Sequence, residues 1–161
     1  MTGRKSPTGL LGWKWGDDAA ECARQAGLVC TRWDPWVDPA FETSIDLDHP
    51  RAVLGVEGLV RLVRAGGKDL EGVQVTYRGC ARDDARKRQL REGLQRELHV
   101  RSPGVDVPYE TWADNSLVHF VIDPRDDTCT LTVAGPRFGK VFAAALLGGG
   151  VGGLGAAVAP R

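Results

Sequence analysis

The chain has 161 residues, 42% of them hydrophobic and 26% charged, and its 21 lysines and arginines balance its 21 aspartates and glutamates. These values exclude a disordered chain and a strongly basic or acidic one, so no global field selects nucleic acid or an anionic membrane, and electrostatic recognition must be local. The length suits one ordinary domain, or two small halves sharing a core, burying roughly two-thirds of the unfolded surface.

Met1 to Pro7 is basic, but only Leu10 and Leu11 follow before Gly12 and a charged run, so the apolar core of a signal peptide is missing. Two placements stay open: a cytoplasmic protein, or a periplasmic or otherwise exported one in which Met1 replaces a removed signal. Residues 1–16 read as an aromatic arm, in which Trp13 and Trp15 share a face if the segment is extended. Asp17 then caps a helix from about 18 to 26, where Ala19, Cys22, Ala23 and Ala26 recur at helical spacing, and Gly27 ends it. The stretch from Thr31 to Asp48 holds Trp33, Pro35, Trp36, Pro39 and several acids, and reads as a short strand followed by an irregular excursion. Val53 to Ala65 and Leu70 to Arg78 flank Gly66-Gly67-Lys68-Asp69 as a hairpin, and Val73, Val75 and Tyr77 alternate with Gln74, Thr76 and Arg78.

A second pass through the same order of elements begins at Arg82-Asp83-Asp84-Ala85-Arg86, which echoes Gly16-Asp17-Asp18-Ala19-Ala20. Leu90, Leu94 and Leu98 mark the buried stripe of a helix from about 83 to 99, and Ser102-Pro103-Gly104 stops it. Strands are expected at Tyr109 to Ala113, Leu117 to Asp123 and Thr128 to Ala134, with turns at Asp114-Asn115 and Pro124 to Asp127. The expected fold is therefore α+β, with two similar helix-plus-antiparallel-sheet units of αβββ type in one compact domain. Residues 17–80 form the first and 81–136 the second, helices cover one sheet face, and the other face is partly free. Residues 137–161 form an apolar Gly/Ala-rich tail. Val141 to Pro160 lacks any charge and is long enough to cross a bilayer, but its glycines weaken a spanning helix. The choices are a membrane-associated or oligomerising tail, and a docked helix from 139 to 147 followed by a loose tail.

Cys22, Cys30, Cys80 and Cys129 allow three connectivities, and the turn after the first helix suggests pairing Cys22 with Cys30 and Cys80 with Cys129. The alternative is reduced, buried thiols. No Cys/His grouping has the spacing of a metal site, and no nucleophile motif or phosphate loop stands out, so no catalytic residue, metal, cofactor or small-molecule substrate is assigned. Asp34, Asp38, Glu42, Asp46, Asp48 and His49 read as a solvated acidic loop, with a metal-dependent enzyme as the rival. His99 and His119 read as structural or surface residues. The Arg-rich helix from 82 to 96 carries its own acids, so a solvated amphipathic helix outweighs nucleic-acid binding. Trp33, Trp36 and Trp112 form a partner surface if they share an exposed sheet face.

Two helix-plus-sheet units in tandem, with aromatics over the sheet and a Gly12-Trp13-Lys14-Trp15-Gly16-Asp17-Asp18-Ala19-Ala20-Glu21 lead, resemble exported proteins of the β-lactamase inhibitor type and the small outer-membrane assembly lipoproteins. The resemblance covers residues 12 to 135 in order of elements. The linker from 34 to 52 is longer than that pattern, and the tail has no counterpart in it. The resemblance implies an exported, non-enzymatic binding or scaffold protein that acts on a protein partner or larger assembly.

Overall fold

Period-two alternation of apolar residues builds the centre of the molecule, and period-3.6 stripes supply the layers that cover it. A computed structural model of the chain describes residues 5–27, 33–35, 40–44, 50–100 and 109–147. In chain order the elements are β1 (Gly9–Leu10), β2 (Trp13–Lys14), α1 (Ala19–Gln25), β3 (Trp33–Pro35), β4 (Phe41–Ser44), β5 (Pro50–Val53), β6 (Val56–Ala65), β7 (Asp69–Arg78), α2 (Asp84–Leu98), β8 (Tyr109–Thr111), β9 (Leu117–Asp123), β10 (Thr128–Ala134) and α3 (Pro136–Leu147). The fold is α+β. One antiparallel sheet runs β3-β4-β6-β7-β10-β9-β8, with β5 also paired to β6, while β1 and β2 form a separate small hairpin. The last strands of the two halves, β7 and β10, meet at its middle, from Thr128 opposite Arg78 to Ala134 opposite Gly72. The first half contributes five of these strands and the second three.

The first face of the sheet carries Val60, Leu62, Val73, Val75, Tyr77, Val118, Phe120, Leu131 and Val133. Trp13, the Ala19–Cys22–Ala23 stripe of α1 and the Leu90–Leu94–Leu98 stripe of α2 cover them. The α1 N-cap is Asp18, one residue later than expected, because the Asp17 carboxylate instead accepts the Lys14 N–H at 2.9 Å. Asp83 caps α2 by accepting from Arg86 N at 3.0 Å. The run from Val53 to Ala65 is two strands and not one. Leu54 and Gly55, at φ of +57° and +78°, make a two-residue turn between β5 and β6. A leucine in this left-handed region is strained, and burial offsets the strain: Leu54 packs so close to α2 that a Cβ on Gly93 would stand 2.9 Å from its own Cβ.

On the second face α3 covers only one end, where Phe138 and Phe142 pack on Phe41, Val63, Ala65, Leu117 and Ala134. The helices are thus not confined to one side. A bulge between β6 and β7 sets the docking of α3. Val63 pairs with Gly72 and Arg64 with Leu70, so Glu71 is the extra residue. Its buried carboxylate accepts from the Arg137 backbone N–H at 3.2 Å and from Arg137 Nη2 at 3.2 Å, which fixes the start of α3. The expected helix from 139 to 147 therefore begins earlier, at Pro136, and residues 148–161 lie outside the described residues.

Cys80 and Cys129, both fully buried, form a disulfide that ties the end of β7 to β10 across 49 residues. Cys22 is a free, buried thiol on the sheet side of α1. Burial, with the Asp17 and Asp18 carboxylates near it, pushes its pKa up to about 11, the value of an inert thiol. Cys30 lies outside the described residues.

Candidate functional site

Register turns the second face into three parallel rows, because each strand presents every other residue there. The innermost row is Val63, Gly72, Ala134 and Leu117, paired in sequence across β6, β7, β10 and β9. It is small and apolar to receive α3; a Cβ on Gly72 would lie 2.7 Å from the Phe138 ring. The next row is Arg61, Gln74, Thr132 and His119, with Tyr109 of β8 opposite His119. The third is Leu59, Thr76, Thr130 and Val121.

The middle row is polar throughout and mostly buried, with Arg61 at 9%, Gln74 at 2% and Thr132 at 2% exposure. Gln74 Nε2 donates to Thr132 Oγ1 at 3.1 Å, and Arg61 Nη1 donates to Thr43 Oγ1 of β4 at 3.0 Å. Two atoms of the row stay unsatisfied: Arg61 Nε, a donor, and Gln74 Oε1, an acceptor. They belong to cross-strand partners. Burial pulls the Arg61 pKa below its ordinary value, and Asp34 of β3 opposes that through its charge. Arg61 makes no ion pair among the described residues. His119 lies edge-on to the Phe142 ring with centroids 5.7 Å apart, and burial pushes its pKa down to about 4, so the imidazole is neutral near pH 7. Each unpaired buried polar atom costs about 1–3 kcal/mol, so this row is not the arrangement that stability alone selects.

Leu59 and Thr76 of the third row border a cleft of about 330 Å³ that Pro50, Glu57, Arg78 and Arg86 also line. Arg86 crosses from α2 to hold the end of β7, donating from Nη1 to the Arg78 carbonyl at 2.7 Å.

The three tryptophans expected to share an exposed surface do not. Trp112 is 3% exposed and belongs to the first-face core, since alternation places it on the same side as Glu110, which pairs with Val118 of that face. Trp33 packs half-buried on the same core, and the Arg64 guanidinium lies 4.0 Å over its ring while ion-paired to Glu42 at 2.9 Å. Trp36 lies outside the described residues, as do Asp38, Asp46, Asp48 and His49 of the acidic loop. Among the described residues no group of three or more His, Cys, Asp or Glu side chains is placed to hold a metal ion. No described helix is long and apolar enough to cross a membrane. The residues that make the candidate site, Arg61, Gln74, Thr132 and Thr43, escaped the sequence reading. Their signal was the polar phase of the alternation that located the core.

No known protein family matches the chain, and no curated protein and no solved structure is detectably similar to it.

Proposed function

We propose that the chain is a non-catalytic binding or envelope scaffold protein, and that it meets its partner through the part of the second sheet face beyond α3, where Thr130 and Val121 are half-exposed. The observation that carries this reading is the polar row Arg61–Gln74–Thr132–His119, which is mostly buried and still leaves a donor and an acceptor unanswered. Binding supplies what the fold withholds. The fully buried Cys80–Cys129 bond supports an exported location, where such bonds persist, and the sequence's resemblance in element order to exported inhibitors and assembly lipoproteins points the same way. The apolar second half of α3 and the uncharged residues after it would add anchorage or assembly. The Arg-rich face of α2 suits nucleic acid poorly because acids on the same helix answer its cations: Lys87 pairs with Asp84 at 3.3 Å and Arg96 with Glu97 at 3.1 Å.

Site-specific photocrosslinking in the native host tests the reading. A crosslinker at the half-exposed Val121 or Thr130 is expected to trap one discrete adduct, and one at the exposed Arg88 on the outside of α2 is expected to trap none. Equal trapping at all three positions, or trapping at Arg88 alone, would remove the second face as the contact surface.

A further inference from the structure

The cleft lies where β6 and β7 part. Their ladder ends at Leu59 opposite Thr76; beyond it Gly58 and Glu57 pair with Arg51 and Ala52 of β5, while Tyr77 and Arg78 pair with Cys129 and Thr128 of β10. On the first face this fork is shut. The Tyr77 ring lies so close to Gly58 that a Cβ there would stand 2.9 Å from it, and the Tyr77 hydroxyl donates to the Val53 carbonyl at 2.9 Å. Away from that seal the fork stays open as the cleft of about 330 Å³, a size that suits a small molecule.

Alternation puts Glu57 and Arg78 on the same face as Leu59 and Thr76, one on each side of the fork. Both are exposed, both line the cleft, and neither makes an ion pair among the described residues. Arg86, at the same opening, is already engaged: its Nη1 donates to the Arg78 carbonyl at 2.7 Å and its Nε lies 3.7 Å from the Asp83 carboxylate. What the cleft offers is one unpaired cation and one unpaired anion on opposite walls, beside the apolar Leu59 and Pro50.

That pattern of charge selects a ligand. A simple anion drawn to Arg78 meets Glu57, and a simple cation drawn to Glu57 meets Arg78 and Arg86, so each is attracted by one wall and repelled by the other. A small body carrying both charges satisfies both walls, and an aliphatic group on it is taken from water by Leu59 and Pro50. We infer that the cleft binds a small zwitterion of the α-amino acid class, its carboxylate accepting from Arg78 and its ammonium donating to Glu57. The inference goes beyond the partner surface proposed above and does not rest on it, since neither Val121 nor Thr130 is among the described residues that line the cleft.

The test is nuclear magnetic resonance titration of the full chain with L-leucine, with N-acetyl-leucine, which lacks the ammonium, and with leucinamide, which lacks the carboxylate. Leucine is expected to shift the Gly58, Leu59 and Thr76 amides saturably, with each blocked analogue weaker by about ten-fold or more, the worth of one charged hydrogen bond. Arg78→Gln is expected to weaken leucine and N-acetyl-leucine and to spare leucinamide; Glu57→Gln is expected to weaken leucine and leucinamide and to spare N-acetyl-leucine. Both side chains are exposed, so both variants keep the fold, and the dispersion of the backbone spectrum verifies it. N-acetyl-leucine binding as tightly as leucine, with no loss in Glu57→Gln, makes the cleft a plain anion site and overturns the inference. Leucinamide binding as tightly as leucine, or no saturable shift at these amides with millimolar leucine, overturns it as well. Crosslinking at Val121 and Thr130 reads the partner surface separately from all of these results.

Discussion

The two faces of the sheet are made by the same strands and differ only in the phase of their alternation, yet they are built for different ends. On the first face Val73, Val75, Leu131, Phe120 and their neighbours are fully buried against two helices and an aromatic arm, with the Tyr77 hydroxyl satisfied by the Val53 carbonyl at 2.9 Å. On the second, one helix covers one end, and the residues beyond it are Arg61, Gln74, Thr132 and His119, two of which keep unpartnered buried atoms. The difference is that the buried hydroxyl of the first face is satisfied by the fold itself, whereas the polar row of the second keeps a donor and an acceptor unanswered, which is what the proposed binding role rests on.

That contrast can be broken by substitution. The largest effect is expected on the first face: Phe120→Ala should cost about 4 kcal/mol in urea denaturation, the usual toll for an aromatic in a filled core. Next is the staple between the halves. Cys80→Ala with Cys129→Ala removes a cross-link closing 49 residues and should cost roughly 3–4 kcal/mol, while Cys22→Ala leaves the disulfide intact in non-reducing mass analysis.

His119 sharpens the comparison through pH. Its pKa falls from an ordinary 6.5 to about 4 in the folded state, so between those values the unfolded chain takes up a proton that the native chain refuses. Stability should fall as pH drops below about 6.5 and the loss should be complete below about 4, amounting to about 3 kcal/mol. Denaturation midpoints across that window, measured with His119→Gln alongside, check the assignment, since the variant should lose this part of the pH dependence. The smallest effect is expected at Trp33→Ala, which removes a half-buried ring and its Arg64 stack for about 1 kcal/mol and should leave crosslinking from Val121 unchanged.

Much of the fold was legible in the residues. The alternation in Val118-Phe120-Ile122 and Cys129-Leu131-Val133 located β9, β10 and their inward face, the Gly66-Gly67 turn fixed the β6–β7 hairpin, and Asp83 with the leucine stripe fixed α2. The Leu54-Gly55 turn was not legible, because a leucine at positive φ is tolerated there only by burial against Gly93. The candidate site was visible residue by residue but not as a site. Gln74 and Thr132 are 58 positions apart, and only the pairing of β7 with β10 puts them in one row with Arg61 and His119. Local signals set hairpins; register between distant strands is set by the whole packed sheet. Tryptophan misled for a related reason, since the same ring that serves a binding hot spot serves a core equally well, as Trp112 does.

The division of labour between the faces is tested most directly by urea denaturation of the double variant Arg61→Met/Gln74→Met. Replacing the buried polar pair with apolar side chains of similar size removes two unsatisfied atoms and a buried charge. The account predicts a midpoint equal to or above that of the unaltered chain, with an unchanged slope. A loss of more than about 2 kcal/mol would show that the row holds the fold together and would contradict the claim that it exists to bind.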